Sequence, residues 1–176
     1  MLKILLAGQG GQGVLSAGRF LVESGLREGK EVTYLPAYGA EMRGGTANCS
    51  VTISDEPIAS PLCNKPDVLI AMNMPSFHRF AGNVQPGGYI FVNSSLSDSD
   101  CGRDDVTVYS IPANDLAIEA GSVKSANMVI VGALFGALHV VKEESILECL
   151  KEKFPGKPKV VEMNARAFEA GKKTVQ

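Results

Sequence analysis

A chain that passes from a β-type run into a helix through six residues, four of them glycine, has few folds open to it. Residues 2–7 are largely apolar and lead straight into Gly8-Gln9-Gly10-Gly11-Gln12-Gly13. After that loop Val14, Ala17, Gly18, Leu21, Val22 and Gly25 recur at helical spacing, with Arg19, Glu23 and Arg27 off the stripe. Gly8, Gly10 and Gly13 fit the G-x-G-x-x-G pattern of a first βα turn. Glycine lets such a turn be sharp and lets backbone approach a phosphate, while the free N–H groups of the helix start favour an anion. The loop residues Gly8, Gly10, Gly11, Gln12 and Gly13 are therefore a candidate phosphate or carboxylate site. An equally good reading is that the glycines only allow tight packing of strand on helix. NAD is the weakest of the three. A dinucleotide site needs an acid at the end of the second strand to hold the ribose. The run 31–35 ends Tyr34-Leu35-Pro36, and Glu31 stands at its beginning.

The rest of the chain alternates in the same manner. Strand-like runs are expected at 31–35, 46–53, 67–72, 89–93 and 106–111, and helices at 75–81, from 112 onward, at 126–141 and at 143–154. The run 67–72 (DVLIAM) is continuous and apolar, as in a strand buried on both faces of a parallel sheet. Residues 93–105 read as an exposed polar loop. In 126–141, Gly132 and Gly136 lie four apart in an almost wholly apolar helix, which permits close helix contact and implies burial. From 160 a last helical piece is expected to end in fraying polar residues. The expectation is a single domain over 1–176: α/β, three-layer αβα, with a Rossmann-like, mostly parallel or mixed sheet and a glycine-rich first βα turn.

Charge and cysteine usage narrow the function. Lys and Arg number 17 against 19 Asp and Glu, so no basic face for nucleic acid or anionic lipid is expected. Cys49, Cys63, Cys101 and Cys149 form no C-x-x-C pair, which argues against an iron–sulfur cluster, a zinc site or any other metal in this chain. The short apolar start and the polar interruptions at Asn127 and His139 predict a cytoplasmic protein without a membrane span. His78, His139 and Ser16 lack the partners of a catalytic base or nucleophile.

The second unusual stretch is Tyr38-Gly39-Ala40-Glu41-Met42-Arg43-Gly44-Gly45. Arg43 could clamp a carboxylate or phosphate with its planar fork. Pairing with Glu41 to order a loop or dock a neighbouring subunit is slightly favoured on physical grounds. Together, GQGGQG after the first strand and YGAEMRGG after the second resemble the signature pair of the γ subunit of thiamine-diphosphate-dependent 2-oxoacid:ferredoxin oxidoreductases. The likeness continues through residues 53–58, 65–71, Pro86-Gly87-Gly88, and Asn127-Met128 ahead of Gly132-Ala133-Leu134. It spans roughly residues 1 to 140 in collinear order.

The resemblance implies a share in a reaction: oxidative decarboxylation of a 2-oxoacid to an acyl-coenzyme A, with electrons passed to ferredoxin. Thiamine diphosphate, Mg and the iron–sulfur clusters belong to α and β partner subunits, coenzyme A is a co-substrate, and some relatives add a ferredoxin-like δ subunit. No catalytic residue is expected in this chain. Tyr38, Gly39, Glu41, Arg43, Gly44 and Gly45 are expected at a subunit junction or beside substrate. The form YGAEMRGG is closer to the 2-oxoglutarate and branched-chain enzymes than to the pyruvate type. The expected substrate is 2-oxoglutarate, with a branched-chain 2-oxoacid or indolepyruvate enzyme as the alternative. A free-standing nucleotide-binding oxidoreductase, or a scaffold with a vestigial loop, would lie outside this family role.

Overall fold

The computed structural model describes residues 1–38 and 45–175, Tyr38 by its backbone alone. Among them six strands form one sheet: β1 (Leu2–Gln9), β2 (Glu31–Tyr38), β3 (Thr46–Ser54), β4 (Val68–Ala71), β5 (Tyr89–Asn93) and β6 (Thr107–Ile111). Their order is β2-β3-β1-β4-β5-β6. β1, β4, β5 and β6 are parallel neighbours, and β3 runs antiparallel to both β1 and β2. The sheet is mixed and mostly parallel, as expected.

The simple βαβ start is corrected in one respect. β2 runs in the direction of β1 but is not its neighbour, because β3 lies between them. The reason is pairing length. β3 is in register with β1 from Leu2↔Ile53 to Gln9↔Thr46 and with β2 from Glu31↔Ser54 to Tyr38↔Ala47, so it is hydrogen-bonded along both edges. Pro36, which has no N–H to donate, lies on β2, the outer strand of that edge, where a missing donor is tolerated.

Side-chain alternation divides the core in two. Ile4, Leu6, Cys49, Val51, Val68, Ile70 and Phe91 point to one face, against α1 (Val14–Arg27), α3 (Ala113–Ala120), α4 (Ala126–Leu138), α5 (Glu143–Lys153) and α6 (Pro158–Lys173). Leu5, Ala7, Leu69, Ala71, Ile90 and Val92 point to the other, where α2 (Met74–Phe80) supplies Phe77 and the turn after it supplies Ala81 and Val84. This is the three-layer arrangement, with one layer far thinner than the other. No described helix is long and apolar enough to cross a membrane.

α4 is sandwiched between sheet and α6. Gly132 and Gly136 face α6, and Gly171 of α6 faces α4, so closely that a Cβ at Gly132 would overlap the Phe168 carbonyl oxygen. The expected last helical piece is α6, which continues to Lys173 with Ala167, Phe168 and Gly171 buried. Its sequence looks polar because α4 provides most of the apolar surface of their contact.

Candidate functional site: a crevice at the carboxyl ends of β1 and β4

The glycine loop is held from several sides. A Cβ on Gly8 would lie 2.7 Å from Val14 Cγ2 and 2.9 Å from Met72 Cβ. Gly13 is the N-cap of α1 with φ 75°, and a Cβ there would come 2.7 Å from Asn127 Nδ2, which itself donates to the Gly13 carbonyl. Packing and backbone conformation therefore account for these two glycines. Gly11 has φ 96° and open space around it, so only its left-handed backbone calls for glycine. Gly10 and Gly11 form an exposed crest.

Gln12 ties the loop to the neighbouring strand. Its Oε1 accepts from the Gln9 N–H at 2.8 Å and from Asn73 Nδ2 at 2.9 Å, and its Nε2 donates to the Met72 carbonyl at 3.2 Å. Asn73 in turn caps α2 by accepting from the Ser76 N–H. Asn93, fully buried at the end of β5, donates to the Met72 carbonyl and to Asn114 Oδ1, and accepts from the Ala113 and Ser95 N–H groups. Three amide side chains thus fix the ends of β1, β4 and β5 relative to one another. Asn73 and Asn93 were not legible as site-forming residues, although an Asn just before Met-Pro is a helix-start signal.

The crevice follows from the topology. From β1 the chain leaves through α1 on one face, whereas from β4 it leaves through α2 on the other. The carboxyl ends of β1 and β4 are consequently a switch point, the usual place for a ligand in such sheets. A cavity of about 290 Å³ opens there, lined by Gly8, Gln9, Thr46, Asn48, Ser76 and Arg79 among others. Arg79, which sequence reasoning did not single out, is exposed and stacks 5.2 Å over the Phe80 ring. None of the ion pairs among the described residues uses it. A larger groove of about 640 Å³ runs between α3, α5 and α6, remote from the glycine loop, and its rim residues Arg166 and Glu162 are already paired. The glycine loop and the Arg79 guanidinium, outside every ion pair among the described residues, converge on the smaller crevice, which is the candidate site.

The two sequence motifs meet here. The Gly10 N–H donates to the Gly45 carbonyl at 3.0 Å, which joins the glycine loop to the end of the second segment. The Tyr38 backbone pairs with Ala47 in β2–β3. Gly39, Glu41, Arg43 and Gly44 lie outside the described residues. The β3 strand also stands where a dinucleotide fold would place its second parallel strand, so the geometry of an acid-held ribose is absent among the described residues.

The remaining reactive side chains have structural surroundings. The four cysteines are free, and no three His, Cys, Asp or Glu gather to hold a metal among the described residues. Burial beneath α1 pushes the Cys49 thiol up to about 12. His139 ends α4 in the left-handed region, φ 47°, with Nδ1 2.7 Å from the Phe135 carbonyl oxygen.

Residues 3–174 match the family described as pyruvate ferredoxin/flavodoxin oxidoreductase. Ketoisovalerate oxidoreductase subunit VorA of Methanothermobacter thermautotrophicus is 41% identical over 97% of the chain, which spans only 35% of that subunit. 2-Oxoglutarate synthase subunit KorC of Methanocaldococcus jannaschii is 34% identical, with 96% of this chain and 91% of that one covered. Among solved structures, 2-oxoglutarate:ferredoxin oxidoreductase from Magnetococcus marinus superimposes with a TM-score of 0.90 at 31% identity, over 99% of this chain and 31% of that one. The γ subunit of a keto/oxoacid ferredoxin oxidoreductase from Geobacter sulfurreducens gives 0.84 at 26%, over 99% and 98%. The chain therefore spans about a third of the VorA subunit and nearly all of the KorC and γ chains.

Proposed function

The chain belongs to the pyruvate ferredoxin/flavodoxin oxidoreductase family as a γ-subunit-type member, and on that premise we propose that it serves a 2-oxoacid:ferredoxin oxidoreductase acting on a branched-chain 2-oxoacid. The observation that carries the substrate is the ordering of the relatives. Two ketoisovalerate oxidoreductase subunits are 41% and 37% identical to the chain, against 34% for a 2-oxoglutarate synthase subunit. The branched-chain alternative is thus better supported than the 2-oxoglutarate reading favoured by the second motif alone.

In this reading the decarboxylation and electron transfer are supplied by thiamine diphosphate and iron–sulfur clusters held in α and β partners. This chain contributes shape and charge. Its crevice offers the Arg79 guanidinium to an anionic group, for which the phosphates of coenzyme A are the natural candidate. The volume, about 290 Å³, lies at the lower end of the ~300–1,000 Å³ of small-molecule sites. It suits a part of coenzyme A, with the remainder held by a partner subunit. Glu41 and Arg43 keep their proposed place at the subunit junction. An Arg43→Ala variant unchanged in both assembly and coenzyme A kinetics would remove that role.

The substrate is tested by assaying the intact complex anaerobically for coenzyme-A-dependent dye reduction with a panel of 2-oxoacids. A kcat/KM for ketoisovalerate about tenfold or more above that for 2-oxoglutarate is expected, since pocket shape alone discriminates at that level. The reverse preference would restore 2-oxoglutarate.

A further inference from the structure

The second glutamine of the glycine loop is held more firmly than the glycine pattern requires. Gln12 does not line the crevice, yet it is bonded to two residues that do, Gln9 and Asn73. Two N–H donors converge on its Oε1, the Gln9 backbone at 2.8 Å and Asn73 Nδ2 at 2.9 Å, and the Met72 carbonyl faces its Nε2 at 3.2 Å. The reversed amide would set donor against donor and acceptor against acceptor at all three places, so its orientation is fixed. A Cβ on Gly8 would stand 2.8 Å from Oε1, so Gly8 leaves the room in which the amide folds back. What Gln12 holds is α2. That helix has only seven residues, below the ~12–15 that an isolated helix needs, so its place depends on its anchors. Phe77, fully buried, anchors its middle, and Asn73 anchors its start by accepting from the Ser76 N–H at 3.0 Å. Asn73, Ser76 and Arg79 recur every three residues along one side of the helix, and all three line the crevice.

We propose that Gln12 is a positioning residue for the anionic ligand of the crevice: through Asn73 it fixes the start of α2, and thereby where the Arg79 guanidinium stands. The inference rests on the reading of the crevice as a site for an anionic part of coenzyme A, and it adds the residue that sets the geometry of that site. Arg79 stacks on Phe80 of the same helix and joins no ion pair among the described residues, so its place follows that of α2. A guanidinium fork recognises phosphate by direction as well as by charge. A shift of about 1 Å in α2 therefore weakens binding without removing any group that touches the ligand. The glycines of the loop give it its turn, and Gln12 carries the effect of that turn to the neighbouring helix.

The test is the KM and kcat for coenzyme A of the intact complex, assayed anaerobically, in a cycle of Gln12→Met, Arg79→Ala and the double variant. Asn73→Ser is the second probe of the same link, since serine still caps α2 but is too short to reach Gln12. It also carries the test if Gln12→Met fails to fold or assemble. Arg79→Ala is expected to raise KM roughly tenfold, the loss of a hydrogen bond to a charged group. Gln12→Met and Asn73→Ser should each raise it about threefold or more, within the range of coupling in one hydrogen-bonded network, with the effect on KM rather than kcat. In the Arg79→Ala background neither change should raise KM further, because both act through Arg79. A Gln12→Met effect of the same size in that background overturns the route through α2. Unchanged KM in both Gln12→Met and Asn73→Ser, or a fall in kcat alone, overturns the positioning role and leaves the crevice reading standing. Unchanged KM in Arg79→Ala overturns the crevice reading, and this inference with it.

Discussion

At Gly13 two demands fall on one residue: a left-handed backbone, φ 75°, and the Asn127 amide where a Cβ would stand. At Gly11 only the first applies, with φ 96° and free space. An L-residue in the left-handed region costs about 1–2 kcal/mol, and overpacking adds roughly 1–3 kcal/mol. Gly11→Ala should therefore lose about 1 kcal/mol in urea unfolding, and Gly13→Ala at least twice that. Equal losses would mean that Asn127 yields freely and does not fix the loop. A second residue-level expectation concerns Cys49, whose thiol burial raises to about 12. The folded state then keeps a proton that an unfolded thiol, near ~8.5, gives up. The contribution is complete below the unfolded value and fades as pH rises toward 12, so stability should fall over that alkaline range. At pH 8 a thiol reagent should modify the half-buried Cys63 and Cys101 readily and Cys49 only on unfolding. Rapid native labelling of Cys49 would contradict its burial.

Between elements, the α4–α6 contact decides how the helical layer closes. Gly132→Ala would gain about 1 kcal/mol of helix propensity. The added methyl, however, meets the backbone carbonyl of Phe168, which has no rotamer to escape into. The clash should outweigh the gain, leaving a net loss of about 2 kcal/mol and a Tm lower by roughly 4–8 °C for a chain of this size. A Tm equal to or above that of the wild type would show that the helices can part without cost. The same contact shows what sequence could reveal. Gly132 and Gly136 in an apolar run announced a close helix partner, but nothing in the polar residues around Ala167 and Phe168 announced that α6 was that partner. The strands were legible because alternation and continuous apolar runs mark them directly. The place of β3 between β1 and β2 was not, since pairing over Leu2–Gln9 and Glu31–Tyr38 is a long-range choice that no local pattern encodes. In the site, the glycine loop was visible as a motif. Arg79, Asn73 and Asn93 were not, because a lone Arg or Asn becomes meaningful only once β4, β5 and α2 bring it to the loop.

For the molecule as a whole, the fold shows a nearly complete hydrophobic core on the helical side and a thin cover on the other, with a crevice at the switch point of the sheet. On the proposed function, a chain built in this way would hold one end of a ligand against a larger partner, in a family whose members carry this fold over nearly their whole length or as about a third of a longer subunit. The proposed role is membership in a working 2-oxoacid:ferredoxin oxidoreductase. Its most direct test is anaerobic capture of the tagged chain from its native cells, followed by assay of the eluate for 2-oxoacid- and coenzyme-A-dependent viologen reduction. Larger thiamine- and cluster-bearing subunits are expected to co-elute with that activity. Elution of the chain alone and inactive, from cells that make the complex, would contradict it.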